Sequence, residues 1–166
     1  MLAALGAAGV VVGVLKSMAT TTVILVRHAE KQLGSIEDPP LTTEGEARAE
    51  RLATLVGQRL DGMPVSRVFA TEARRTQQTA APLARRLGLA PQVIPARDVD
   101  ALVAAIKAAP EGSASVVVGH SNTVPLAIGA LTRGRVQVKI DDDEFGALFV
   151  VTVSTFGPPS VIRLQY

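Results

Sequence analysis

Two histidines occur in the chain, and each closes a short run of β-forming apolar residues: Val23-Ile24-Leu25-Val26-Arg27-His28 and Val116-Val117-Val118-Gly119-His120. Arginines share that placement. Arg27 directly precedes the first histidine, and Arg74-Arg75 follows a third such run at residues 66–70. Guanidinium forks and imidazoles converging on one point suit a multi-oxygen anion, a phosphoryl group above all, because their N–H donors have fixed directions. By itself the histidine pair fits three arrangements: rings packed for stability, a metal site completed by a carboxylate, or a catalytic pair. The neighbouring arginine charges oppose a bound cation, so no metal ligand set and no cofactor is assigned.

The two rings can meet only if the runs that carry them are adjacent strands of one sheet. In open α/β sheets, ligands bind beyond the carboxyl ends of the strands, which is where both histidines sit. From residue 20 onward the pattern alternates strand and helix, which predicts a three-layer α/β/α sandwich with a mostly parallel central sheet. Strands are predicted at 21–26, 66–70, 93–94 and 114–118. The polar stretch 31–40, with Gly34 and Pro39-Pro40, reads as a loop. Thr43-Glu44-Gly45-Glu46 fits a capping box ahead of a helix whose apolar face carries Ala49, Leu52, Leu55, Val56 and Leu60, with Gly62 and Pro64 as its stop. A second helix over 74–87 ends at Gly88, and Pro82 inside it predicts a kink or a restart. Two further helices are predicted, over 98–109 with Asp98 near its N-cap and over 123–131 with Pro125 in its first turn. Residues 147–153 and 160–164, around Gly157-Pro158-Pro159, read as a hairpin at the sheet edge.

At 166 residues the chain can bury one core without staples, in keeping with its lack of cysteine, which also excludes thiol catalysis, thiolate zinc sites and redox relays. The 17 Lys and Arg nearly balance 15 Asp and Glu, and four Phe, one Tyr and no Trp give no base-stacking surface, so nucleic acid is not an expected partner. Residues 2–15 form an uncharged Ala/Gly/Val/Leu stretch followed by Lys16 and Ser17-Met18-Ala19. This stretch fits a signal peptide, an anchor or an extension upstream of Met18. No basic residue precedes it, and it falls short of the roughly 20 residues of a spanning helix. Cytoplasmic and exported or periplasmic locations both agree with it, and membrane contact is expected only if it is an uncleaved anchor. Residues 1–19 are therefore set apart from a single domain over 20–166.

Together these motifs carry a family likeness. Val26-Arg27-His28-Ala29-Glu30 resembles the R-H-G/A-E motif of the histidine phosphatase (phosphoglycerate mutase-like) superfamily, and Pro40-Leu41-Thr42-Thr43-Glu44-Gly45 is similar to its P-L-T-x-x-G segment. Thr71-Glu72-Ala73-Arg74-Arg75-Thr76-Gln77-Gln78-Thr79-Ala80 resembles its S-x-x-x-R-A-x-Q-T-A segment, and Val117-Val118-Gly119-His120-Ser121 its second histidine. The motifs keep the family's order over most of residues 20–123. The compact length is similar to the short branch that includes protein phosphohistidine phosphatases.

The resemblance implies that His28 is a nucleophile forming a phosphohistidine, with Arg27, Arg75 and His120 holding the phosphoryl oxygens. Arg charges are expected to keep His28 neutral, and a backbone carbonyl at its other ring nitrogen to fix the tautomer. Arg74 lies outside the motif's arginine position and reads as a rim or surface residue. For the general acid, Asp98 and Asp100 fall in the interval where family members supply one, although Asp98 also suits a helix cap. Glu72 is a second candidate by proximity, and Glu30 could orient a neighbour. Asp141-Asp142-Asp143-Glu144 reads as a solvated loop, and Thr76, Gln77 and Gln78 as helix-surface or packing residues. The implied activity is metal-independent hydrolysis of a phosphorylated small molecule or phosphoprotein. A mutase-like phosphotransferase would use the same residues but must shield its phosphohistidine from water, and residues 76–119 contain little beyond one short helix to do so. A non-catalytic phospholigand-binding module is the alternative from another class.

Overall fold

The computed structural model describes residues 20–34, 37–57, 63–154 and 157–166; the apolar segment 1–19, and Leu60 and Gly62, which the sequence assigns to the first helix and its stop, lie outside the described residues. In chain order the elements are β1 (Thr20–Arg27), α1 (Thr43–Val56), β2 (Val65–Ala70), α2 (Arg74–Leu87), β3 (Gln92–Val93), α3 (Val99–Lys107), β4 (Ala114–Gly119), α4 (Thr123–Leu131), β5 (Ala147–Ser154) and β6 (Ser160–Gln165). The strands form one sheet in the order β3-β2-β4-β1-β5-β6. β1 to β4 are parallel to one another, while β5 runs antiparallel to β1 and carries β6 as an antiparallel edge.

Alternation of side chains along β1 divides the core. Ile24 and Val26 pack with Leu52, Val56 and Leu83 of α1 and α2 on one face. Val23 and Leu25 pack with Val103 and Ile106 of α3 and Val124, Ile128 and Leu131 of α4 on the other. Period-two alternation in a strand covered on both faces requires apolar residues throughout, which is why β1 and β4 read as continuous Val/Ile/Leu runs. No described helix is long and apolar enough to cross a membrane.

Local departures from expectation are small and have physical causes. The helix cap is Thr42, not Thr43: its side chain accepts the Gly45 N–H, and α1 starts at Thr43, one residue earlier than that box implies. Leu55 is 52% exposed because the buried face of α1 is set by Ala49, Leu52, Ala53 and Val56, placing position 55 at its margin. Pro82 causes no restart, and α2 runs unbroken to Gly88, which takes the left-handed conformation at φ 67° that ends the helix.

Register places the functional residues. Arg27 pairs with Gly119 across β1 and β4, so both chains leave the sheet at the same level. The His28 N–H then donates to the Gly119 carbonyl at 2.9 Å, carrying the ladder one residue further.

Candidate active site

His28 is 3% exposed, and its Nδ1 lies 2.8 Å from the Ala29 carbonyl oxygen. A carbonyl can only accept, so Nδ1 carries the proton and Nε2 keeps its lone pair. The Ala29 peptide is itself fixed. Its N–H donates to Thr79 Oγ1 at 3.0 Å, and the Thr79 hydroxyl donates to the Arg75 carbonyl at 2.8 Å. One turn of α2 thus carries both Arg75 and the hydroxyl that steadies the peptide beside His28. α1 presses on the next residue: a Cβ on Gly45 would stand 2.2 Å from the Glu30 carbonyl oxygen, so the approach requires glycine.

His120 is oriented by a different set of hydroxyls. Its backbone N–H donates to Thr123 Oγ1 at 2.8 Å. Arg75 Nη2 approaches Nδ1 at 3.4 Å as a donor, which leaves the proton on Nε2, 2.9 Å from Thr71 Oγ1. The run continues from the Thr71 hydroxyl to Thr76 Oγ1 at 2.9 Å and from Thr76 to the Ala73 carbonyl at 2.7 Å, so each hydroxyl both accepts and donates. The two imidazole rings meet edge-on, with centroids 5.3 Å apart and an interplanar angle of 69°.

Arg27, 5% exposed, lies 4.3 Å over the Phe145 ring, and its Nη1 donates to the carbonyls of Asp141 at 2.8 Å and Glu144 at 3.2 Å. Arg75 is steadied by Asp38 Oδ1 at 3.5 Å from Nη1, and the same carboxylate caps α2 by accepting the Arg74 N–H. The Nε–H groups of Arg27 and Arg75 are buried and have no hydrogen-bond partner among the described residues. Buried donors ordinarily find acceptors; Arg67 Nε is likewise unpartnered, but only Arg27 and Arg75 bring such groups to this cavity, beside the two imidazoles. These side chains line an open cavity of about 900 Å³ that also includes Lys31, Glu72 and Asp142.

Burial is the main cause of the histidines' low basicity. It pulls His28 from 6.5 down to about 3, with the Ala29 carbonyl opposing and the Arg75, His120 and Arg27 charges adding to the effect. His120 falls to about 4, again through burial and then Arg75, while Glu72 works the other way. The expected arginine contribution is present but is secondary to desolvation. Both rings are therefore neutral near pH 7.

The structure brings His28, His120, Arg27 and Arg75 together. Asp98 does not join them: its carboxylate accepts the Ala101 N–H at 3.0 Å as the cap of α3, and Asp100 sits exposed in the first turn of that helix. Glu72 lines the cavity, but its own backbone N–H and that of Ala96, at 2.8 Å, hold its carboxyl below the usual range, so it is ionised. Glu30 faces Arg48, whose Nε lies 2.8 and 2.9 Å from its carboxylate oxygens, and braces α1 without touching His28. Arg74 does not line the cavity. The acidic run is more than a solvated loop, since its carbonyls hold Arg27 and its Asp142 lines the site. Thr76 is fully buried, and Gln78 accepts the Leu41 N–H at 2.9 Å, so both have positional duties that helix periodicity concealed. Sequence reasoning also missed Thr71, Thr79, Asp38 and Phe145. Thr71 follows the carboxyl end of β2, the same signal that singled out the histidines. Among the described residues, no group of three or more acidic or histidine side chains is arranged to hold a metal ion.

A sequence model described as histidine phosphatase superfamily (branch 1) matches residues 23–98. The structure superposes on that of the protein histidine phosphatase SixA complexed with tungstate, with a TM-score of 0.69 and 21% identity over 87% of this chain and 96% of that one. A mycobacterial glucosyl-3-phosphoglycerate phosphatase gives 0.66 and 14% identity over 88% and 99%. At these identities the likeness is one of fold. A PE-PGRS family protein of Mycobacterium tuberculosis is 41% identical over 61 residues, which are 37% of this chain and only 10% of that protein, so the chain covers about a tenth of that curated relative. The strand-end motifs, the sequence model matched over residues 23–98 and the shared sandwich fold all point to likeness with the histidine phosphatase superfamily.

Proposed function

We propose that the site hydrolyses phosphomonoesters or protein phosphohistidine through a phosphohistidine formed on His28. The observation that carries this is the tautomer lock: a buried, neutral imidazole presents a bare Nε2 into a cavity lined by Arg27 and Arg75, each with an unpartnered Nε–H. In the first step, the Nε2 lone pair forms a bond to phosphorus as the bond to the leaving oxygen breaks in line. Arg27 and Arg75 hold the equatorial oxygens with His120 beside them, and the loss of one preorganised donor costs about 10²–10³ in rate. In the second step water attacks phosphorus, the P–N bond breaks and His28 returns as a neutral ring.

His120 is suited to respond to its ligand. Neutral in the free site, it gains basicity when a phosphoryl dianion arrives, because opposite charge favours the imidazolium form. The departing oxygen needs a proton, and ionised Glu72 is not a ready acid. A phosphorylated imidazole avoids that need, since it leaves as a neutral ring once its other nitrogen is protonated. Openness of the cavity favours hydrolysis over retention of the phosphoryl group.

The test is to incubate the protein with a phosphohistidine peptide and an aryl phosphate and to trap the adduct. Wild type is expected to release phosphate and to carry an acid-labile, alkali-stable phosphoryl group that His28→Ala lacks. Absence of both turnover and adduct overturns the reading.

A further inference from the structure

The charges around the cavity act on the part of a substrate attached to its phosphoryl group. Among the described residues, the charged lining is Arg27, Lys31 and Arg75 against Glu72 and Asp142, a balance of 3 − 2 = +1 with both histidines neutral. With His120 still neutral, a phosphoryl dianion brings this to 1 − 2 = −1. Beyond the two phosphoryl-binding arginines, a second anionic group on the substrate meets, among the described lining residues, Lys31 against two carboxylates. Both carboxylates are tethered. Glu72 accepts the Ala96 N–H, and Asp142 Oδ1 accepts the Ser121 hydroxyl at 2.9 Å across the mouth of the cavity. Of the neighbouring charges, Asp142 most strongly opposes the effect of burial on Arg27.

Resting on the proposed phosphatase reading, we propose that Glu72 and Asp142 select substrates whose leaving group carries no second negative charge. The favoured class is a phosphoryl group on a neutral or cationic partner, such as an imidazole side chain in a basic peptide, an amino alcohol or an uncharged alcohol. Substrates bearing a carboxylate or a second phosphate are disfavoured. Two unit charges about 8 Å apart at an effective dielectric constant of about 40 interact strongly enough to change relative rates about five-fold, and added salt weakens this.

The experiment measures kcat/KM for 2-aminoethyl phosphate, propyl phosphate and 3-phosphonooxypropanoate with wild type and Asp142→Asn. The asparagine keeps the oxygen that accepts from Ser121, and comparing ratios between enzymes cancels the intrinsic reactivity of each leaving group. Asp142→Asn is expected to raise the anionic-to-neutral ratio about five-fold and to lower the cationic-to-neutral ratio, with both changes shrinking at high salt. Glu72→Gln is expected to shift the ratios in the same sense. Glu111→Gln removes equal charge from an exposed turn outside the cavity and is expected to leave them in place. Ratios that do not respond to Asp142→Asn, or that respond equally to Glu111→Gln, overturn the selectivity while leaving hydrolysis intact. A protein that forms no phosphohistidine with any of the three fails at the earlier reading instead.

Discussion

Thr79→Val separates orientation of His28 from simple packing. Valine matches threonine in shape, so the fully buried position stays filled, but the Ala29 N–H loses the acceptor that stands 3.0 Å away. The Arg75 carbonyl is little affected, because the helix supplies it with another donor four residues on. The stability cost is then that of one buried orphan N–H, about 1–3 kcal/mol. The kinetic cost has a separate origin. The Ala29 carbonyl that fixes the His28 tautomer belongs to the peptide chain released by the substitution, and a nucleophile displaced by a fraction of an ångström to about 1 Å loses up to roughly 10²-fold. Because Arg27, Arg75 and His120 remain, the loss is expected in kcat with KM little changed. Thr79→Ser restores the acceptor and is expected to recover most of kcat. Steady-state kinetics, urea unfolding and the ¹⁵N shifts of the His28 ring measure the three consequences. If the valine variant is destabilised yet keeps wild-type kcat and ring shifts, Thr79 has no hold on the nucleophile.

Other outcomes are open to equally direct measurement. His28 and His120 have folded values of about 3 and about 4 against 6.5, so between pH 6.5 and those values the unfolded chain binds protons that the folded chain does not. Stability is therefore full above pH 6.5 and falls as pH drops through this window; urea midpoints from about pH 7 to about pH 4 should show a slope that His28→Asn reduces. Asp98→Ala removes a helix cap and should cost about 1 kcal/mol in denaturation while leaving kcat/KM unchanged; a large kinetic loss would restore Asp98 as an acid. Gly45→Ala forces a methyl into the Glu30 carbonyl, and is expected to lower stability by about 1–3 kcal/mol and to reduce kcat by moving the segment after His28.

The parts of the fold visible in the sequence are those governed by hydropathy and backbone chemistry. β1 and β4 are buried on both faces and so read as unbroken apolar runs, and Gly88 marks the end of α2 because its backbone is left-handed. Boundaries slipped where two equivalent residues compete: Thr42 and Thr43 can both cap, and only the turn geometry selects Thr42. The sheet order was less legible. Placement of β1 between β4 and an antiparallel β5 depends on long-range pairing, and nothing local in Thr20–Arg27 specifies its neighbours. The histidines could be singled out without it, but their meeting could not.

The hidden part of the site has a common physical cause. A pocket that binds an anion away from water needs buried polar groups, so its supporting residues break the rule that polar positions face solvent. On α2, Thr76 and Thr79 lie on the inward face with Ala80 and Leu83, and hydropathy assigns the threonines to the surface. The same inward face must carry hydroxyls here, since the Ala29 N–H and the Thr71 hydroxyl would otherwise be orphaned beneath the two imidazoles. Arg75 is tied to them by the helix repeat: Thr76 supports His120, Thr79 supports His28, and both lie within one turn of the arginine that approaches His120. A rotation or register slip of α2 therefore disturbs the guanidinium and both histidines together, so substitutions along this turn should couple non-additively while Asp98→Ala adds independently.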